Sequence, residues 1–123
     1  MQKVIFIGLA GLLGTVGRYG VGELVARRFG NSFPIGTLVV NTLGCFLAGS
    51  LFYLLERDAV SDTLRAVVMI GFLGGFTTFS AYGLQTFNLI RGGDIGLALL
   101  NVVGSNVAGL LMAWAGYSLA KAI

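Results

Sequence analysis

The residues best suited to chemistry in this chain are neutral ones held inside apolar sequence. The stretch GFLGGFTTFS, residues 71–80, puts Gly74, Gly75, Thr77, Thr78 and Ser80 in the middle of a run without charge from Ala66 to Ile90. Glycine costs helix stability, and threonine and serine compete for backbone hydrogen bonds. Two readings follow: a helix broken here, or a straight helix in which the glycine pair only allows close packing. Irregular backbone is tolerated at membrane depth where it is buried in protein or lines a cavity, so a break predicts a functional centre. It would expose carbonyl oxygens suited to a hard cation, and free amides and hydroxyls suited to an anion, without formal charge.

Aromatic rings surround this stretch. Phe76, Phe79 and Tyr82 can turn electropositive ring edges toward an anion, although Phe72, Phe76 and Phe79 also have the spacing of a core stripe, the better reading for Phe72. Neutral donors replace part of an ion's hydration without creating a trap, and a permeating ion must be able to leave. The chain has no histidine, which disfavours acid–base and transition-metal enzymes. Cys45 is the single cysteine, so no disulfide closes within the chain. The second, third and fourth apolar runs contain no carboxylate, leaving a proton-coupled exporter little to carry its proton. Passive conduction is favoured, and an enzyme is not expected.

The elements that must position these residues are membrane helices. Hydrophobic residues make up 56% of the 123 and charged residues 11%, with a mean hydropathy of +0.90. Spans of roughly 20 apolar residues suffice to cross a bilayer. Residues 33–55, 66–90 and 95–120 qualify without a charge, and residues 4–26 qualify despite Arg18 and Glu23. The expected fold is all-α: one domain, residues 1–123, of four transmembrane helices with the third broken near the membrane centre. The first run is expected to be retained as a span rather than cleaved as a signal peptide. Lysines and arginines at the helix ends divide four against three, with Lys3, Arg57, Arg65 and Lys121 opposing Arg27, Arg28 and Arg91. So even a balance gives little instruction about orientation, and two inverted copies could pair. The basic residues form no cluster of the kind that binds nucleic acid.

Within the first helix, glycines at 8, 11, 14, 17 and 20 form a slanted ridge for close packing. Arg18 is either an anchor reaching the interface or a residue of an anion-attracting vestibule. Glu23 and Arg27 are placed to pair, and Gly30–Asn31 to end the helix. Ser32 is the expected N-cap of the second helix, with Pro34 near its first turn. Thr37, Asn41, Gly44 and Ala48 share one small or polar face, and the Asn41 amide requires a partner across a helix interface or in a polar passage. ERDAVSDTLR is read as an aqueous loop. In the fourth helix Asn101, Ser105 and Gly109 repeat at four residues, with Asn106 turned about 100° away, and Trp114 and Tyr117 suit an interfacial belt.

GRYG at 17–20, GTLVVN at 36–41 and GFLGGFTTFS at 71–80, in a chain of four short spans, together resemble the Fluc (CrcB) family of fluoride channels. The resemblance covers essentially the whole chain. It implies an antiparallel, dual-topology homodimer in the bacterial cytoplasmic membrane, with two pores that passively export cytoplasmic fluoride and so reduce its toxicity. It further implies a structural sodium ion at the dimer centre, bound by the main-chain carbonyls of Gly74 and Thr77. Asn41 matches the family's pore asparagine, Phe79 the first of its two pore phenylalanines, Arg18 its first-helix arginine and Ser105 a pore serine of the fourth helix.

Tyr82 stands where the second pore phenylalanine is usual, Gln85 where a glutamate occurs, and Gly109 where a second serine can occur. The reading is therefore a fluoride-selective channel lined by Asn41, Phe79, Tyr82 and Ser105. Its rivals are a dual-topology multidrug exporter, for which Glu23 is the one span carboxylate and lies at the wrong depth, and a non-transporting membrane scaffold.

Overall fold

A computed structural model describes residues 1–58 and 60–123; Ala59, within the expected aqueous loop, lies outside the described residues. The elements are α1 (Gln2–Phe29), α2 (Ile35–Arg57), α3 (Asp62–Ala66), a π-helical segment (Val67–Phe72), α4 (Leu73–Phe76), α5 (Phe79–Arg91) and α6 (Ile95–Ala122). Four helices are long and apolar enough to cross a membrane, the third running from Asp62 to Arg91 and comprising α3 through α5. The protein is all-α and multi-pass.

Each helix runs past its expected C-terminal limit, to Phe29, Arg57, Arg91 and Ala122, because helical backbone continues to satisfy its own polar groups after the apolar run has ended, although α2 starts at Ile35, inside its expected start at 33. Glu56 and Arg57, expected in the loop, close α2, while Asp62 to Ala66 form α3 with the Ser61 hydroxyl accepting from Leu64 N–H at 3.2 Å. Ser32 does not cap α2. Pro34 occupies that position without a side-chain cap, since a proline drives the residue before it out of helical geometry and leaves Ser32 outside the first turn. At the other end of the preceding helix, Gly30 does terminate α1, at φ 78°, a conformation that glycine adopts without a Cβ penalty.

Packing follows small residues, as expected where lipid removes any hydrophobic drive between helices. The most extensive contact joins α2 to α6. There Gly49 lies against the Ala113 carbonyl and Gly116 against the Phe46 carbonyl, leaving no room for a Cβ at either. Ser50 Oγ, at 3.0 Å from both the Phe46 and Gly116 carbonyls, adds a polar tie. On the other side α1 packs against the π-helical segment and α4. Gly14 meets the Phe72 carbonyl, Gly71 the Ile7 carbonyl and Gly75 the Gly11 carbonyl. The glycine ridge is therefore used in part: Gly11, Gly14 and Gly17 face the third span, while Gly8 and Gly20 face open space.

The third span is broken, but not at its glycines. Gly74 and Gly75 are helical within α4, and the extended residues are Thr77 (φ −84°, ψ 159°) and Thr78 (φ −150°, ψ 115°). The break reading holds and the straight-helix reading is overturned, although Gly75 does provide the close packing that the latter expected. Thr77 closes α4, its N–H and its hydroxyl each donating to the Leu73 carbonyl at 2.9 Å. Thr78 opens α5, its hydroxyl accepting from Ala81 N–H at 3.2 Å. Upstream, the π-helical turn had no signature in the sequence reading. It is a widened stretch of a kind that recurs at functional sites, and it lies where Gly71 crosses α1.

Candidate functional site

Asn41 holds the break in place from α2. Thr78 N–H donates to Asn41 Oδ1 at 2.8 Å, and Asn41 Nδ2 donates to the Thr78 carbonyl at 2.9 Å. This pair answers the question of the asparagine's partner: the amide imitates a neighbouring strand and satisfies both backbone groups of one extended residue. Gly44, one turn further along α2, leaves the space filled by the Thr77 methyl. Of the Asn41 amide, one N–H remains uncommitted beside the cleft.

That cleft, of about 430 Å³, gathers Asn41, Gly74, Thr77, Phe79, Tyr82 and Ser105, all but one of the site residues expected from sequence. The Phe79 and Tyr82 rings are 5.5 Å apart and tilted by 42°. Phe79 is 83% exposed, so its ring stands at the open edge of the protomer. The Tyr82 hydroxyl receives a long hydrogen bond, 3.4 Å, from Asn106 Nδ2. Asn106 was set apart by the sequence reading as turned away from the Ser105 face, yet it reaches the same cleft because Tyr82 comes toward it from α5.

Arg18 lies across the break. It is half-buried, lines a second cleft of about 410 Å³ with Thr37, Thr78 and Ser80, and donates from Nη1 to the Thr77 carbonyl at 3.4 Å. The guanidinium turns into the protein. Glu23 and Arg27 pair at 3.8 Å on the exposed side of α1, leaving the carboxylate of the first span outside both clefts. A third recess, about 540 Å³, shares Thr37 with the second and contains Gln85, Asn88 and Asp94. Gln85 Oε1 is buried there without a hydrogen-bond partner among the described residues. Polar side chains thus recur from Asp94 to Thr78 within a mainly apolar lining, and among the residues lining the two recesses the cation is Arg18.

Asn101 was recognised from sequence only as part of a spacing. It is 2% exposed, and its Nδ2 donates to Thr86 Oγ1 at 2.8 Å while its Oδ1 accepts from Ser105 Oγ at 3.3 Å. The Thr86 hydroxyl donates in turn to the Tyr82 carbonyl at 2.8 Å. The partner of Asn101 lies on another helix, which one-dimensional spacing cannot reveal. Tyr117 sets its ring edge-on to Tyr53 at 5.3 Å, and Trp114 is 70% exposed.

Carbonyls at the end of α4 suit a cation. The ordinary helical donor to the Gly74 carbonyl would be Thr78 N–H, which goes to Asn41 instead, so that oxygen is left without its ladder bond. Space lies open beyond the Gly74 α-carbon. The Thr77 carbonyl is engaged by the long bond from Arg18. The Gly74 oxygen thus lacks its helical donor and the Thr77 oxygen is shared with Arg18; both are of the donor type that a hard cation such as sodium takes.

The four spans, the broken third helix and a cleft that offers neutral donors and ring edges define a small polytopic membrane protein. The CrcB-like protein, Camphor Resistance (CrcB) family model matches residues 5–117, and the chain belongs to that family. It is 49% identical over 120 residues to the fluoride-specific ion channel FluC of Opitutus terrae, covering 95% of this chain and 91% of that relative. Identity to the channel of the same name from Geobacter sp. (strain M21) is 44% over the full length of both chains. For a channel of that name from Thermus thermophilus it is 43% over all of this chain and 98% of the relative.

Proposed function

We propose that this protein is a passive, fluoride-selective ion channel of the bacterial cytoplasmic membrane, exporting fluoride and so relieving its toxicity. The observation that carries the reading is the single cleft holding Asn41, Phe79, Tyr82 and Ser105 beside a helix break, in a chain whose full-length relatives are named fluoride-specific channels. A small anion there meets an amide N–H, hydroxyls and ring edges, which can share in its solvation without binding it tightly. Arg18 draws anions toward the passage through a field that the low-dielectric walls concentrate.

The working unit is an antiparallel homodimer. Supporting this are the near balance of basic residues at the two ends, the exposure of Phe79 and the cleft's open side, which a second copy would close. At the two-fold axis the Gly74 and Thr77 carbonyls of both copies would hold sodium, which would neutralise their convergent dipoles and tie the subunits together. The exporter reading is disfavoured by the pairing of Glu23 with Arg27 on an exposed helix face. A scaffold has no use for a broken polar centre.

The test is fluoride efflux from liposomes containing the purified protein, driven by a potassium gradient with valinomycin and followed with a fluoride electrode. Fast fluoride efflux with little chloride efflux is expected. A folded, reconstituted protein that moves no fluoride overturns the reading.

A further inference from the structure

The cleft contains a hydroxyl whose only proton points away from it. Ser105 Oγ donates to Asn101 Oδ1, Asn101 Nδ2 donates to Thr86 Oγ1, and Thr86 donates to the Tyr82 carbonyl. Every proton in this chain runs from the cleft toward the α5 backbone. In this arrangement Ser105 presents lone pairs to the cleft, and lone pairs repel an anion.

The Asn101 amide can also stand reversed. With its oxygen toward Thr86, the threonine hydroxyl donates to Asn101, and Asn101 Nδ2 donates to Ser105 Oγ. The serine proton is then free for the cleft. Reversal keeps this network paired: the Tyr82 carbonyl retains the helical bond from Thr86 N–H, and both Asn101 groups remain bonded. Both bonds change donor on reversal, and they differ in length. Asn101 to Thr86 is 2.8 Å, whereas Ser105 to Asn101 is 3.3 Å, so the bond that must change hands at the cleft is the weak one. Asn101, at 2% exposure, is shielded from water that would otherwise satisfy either orientation indiscriminately.

We propose that Asn101 is a positioning residue that sets whether the Ser105 hydroxyl accepts from or donates to the occupant of the cleft, and that anion entry selects the reversed amide. This rests on the channel reading above. Asn101 does not touch the ion; it acts through Ser105. Without it, a helical serine bonds its own backbone carbonyl four residues earlier, here that of Asn101, and its proton is lost to the pathway.

Thr86 partners the amide in either orientation, as acceptor to Nδ2 or as donor to Oδ1, so Thr86→Val is expected to leave fluoride affinity, read as the concentration for half-maximal conduction, within about twofold of the parent. Asn101→Leu is expected to weaken it about threefold to tenfold, the scale of one hydrogen bond. The effect should vanish when Ser105→Ala is added, which a merely structural role would not produce. Should Asn101→Leu fail to fold, Asn101→Ala with and without Ser105→Ala carries the test. Unchanged affinity in the Asn101 variant, or a loss persisting undiminished in the Ser105→Ala background, overturns this inference while leaving the channel intact. A parent protein without fluoride conduction overturns the channel reading itself.

Discussion

Asn41 and Thr78 lie 37 residues apart in sequence and are joined by two reciprocal hydrogen bonds, of 2.8 and 2.9 Å, between one side-chain amide and one residue's backbone. A break in a membrane helix frees backbone groups that have no water to turn to, and this pairing satisfies two of them. Removing the amide leaves both half-buried and without that partner. Asn41→Ala is expected to cost about 2–4 kcal/mol, from two lost bonds and the groups they strand, and to lower fluoride flux at least tenfold. Thermal denaturation in detergent and liposome efflux measure the two effects. A variant as stable and as conductive as the parent would show that the break is held by something else.

Adjacent glycines in α4 have opposite surroundings. A Cβ on Gly75 runs into the Gly11 carbonyl of α1, whereas one on Gly74 meets nothing within 4 Å inside the protomer. Gly75→Ala should therefore disrupt the protomer by overpacking, at a cost of about 1–3 kcal/mol. Gly74→Ala should leave its fold intact and impair only the association of two copies, as a crowded two-fold axis requires. Circular dichroism reports the first effect, and cross-linking in liposomes the second. Equal loss of helical structure in both variants would remove the argument for a partner at Gly74.

The four spans were legible because charge-free runs of this length have few soluble alternatives, and the helix break because glycine and β-branched residues oppose helix locally. Its position was less so: Gly-Gly and Thr-Thr both weaken a helix, and contacts from other helices, α1 against Gly75 and Asn41 of α2 on Thr78, place the break at the threonines. Asn41 was legible as a buried amide in need of a partner, but its partner lies on another helix. For the same reason Thr86 and Asn101, and Tyr82 and Asn106, could not be paired from spacing. The π-helical turn left no compositional trace, since Val67 to Phe72 reads as an ordinary apolar segment.

Tyr82 is a second place where the chain departs from its expected pattern. The hydroxyl accepts only a long bond from Asn106 Nδ2, 3.4 Å, and Asn106 holds a better one, 2.7 Å, to the Val102 carbonyl. Tyr82→Phe thus removes little that is stabilising, less than about 1 kcal/mol, and leaves the ring against Phe79. Fluoride conduction at least as fast as that of the parent is expected from efflux rates at matched protein density. A large loss would place the tyrosine hydroxyl among the groups that the ion needs.

On the dimer reading, sodium and Arg18 would compete for one oxygen. The Thr77 carbonyl receives Arg18 Nη1 at 3.4 Å, while the neighbouring Gly74 carbonyl has lost its helical donor to Asn41. On the dimer reading, purification and reconstitution with sodium replaced by a large organic cation should weaken association and reduce flux. Lithium, smaller and more strongly hydrated, should restore them poorly. Arg18→Gln removes a positive charge beside the site and should lower the sodium concentration required for half-maximal dimer formation, even as loss of the attracting charge slows anion entry. A sodium titration of the dimer fraction separates these two effects. Unchanged assembly and flux in rigorously sodium-free conditions would mean that the Gly74 and Thr77 carbonyls bind no structural cation, and that the break serves the passage alone.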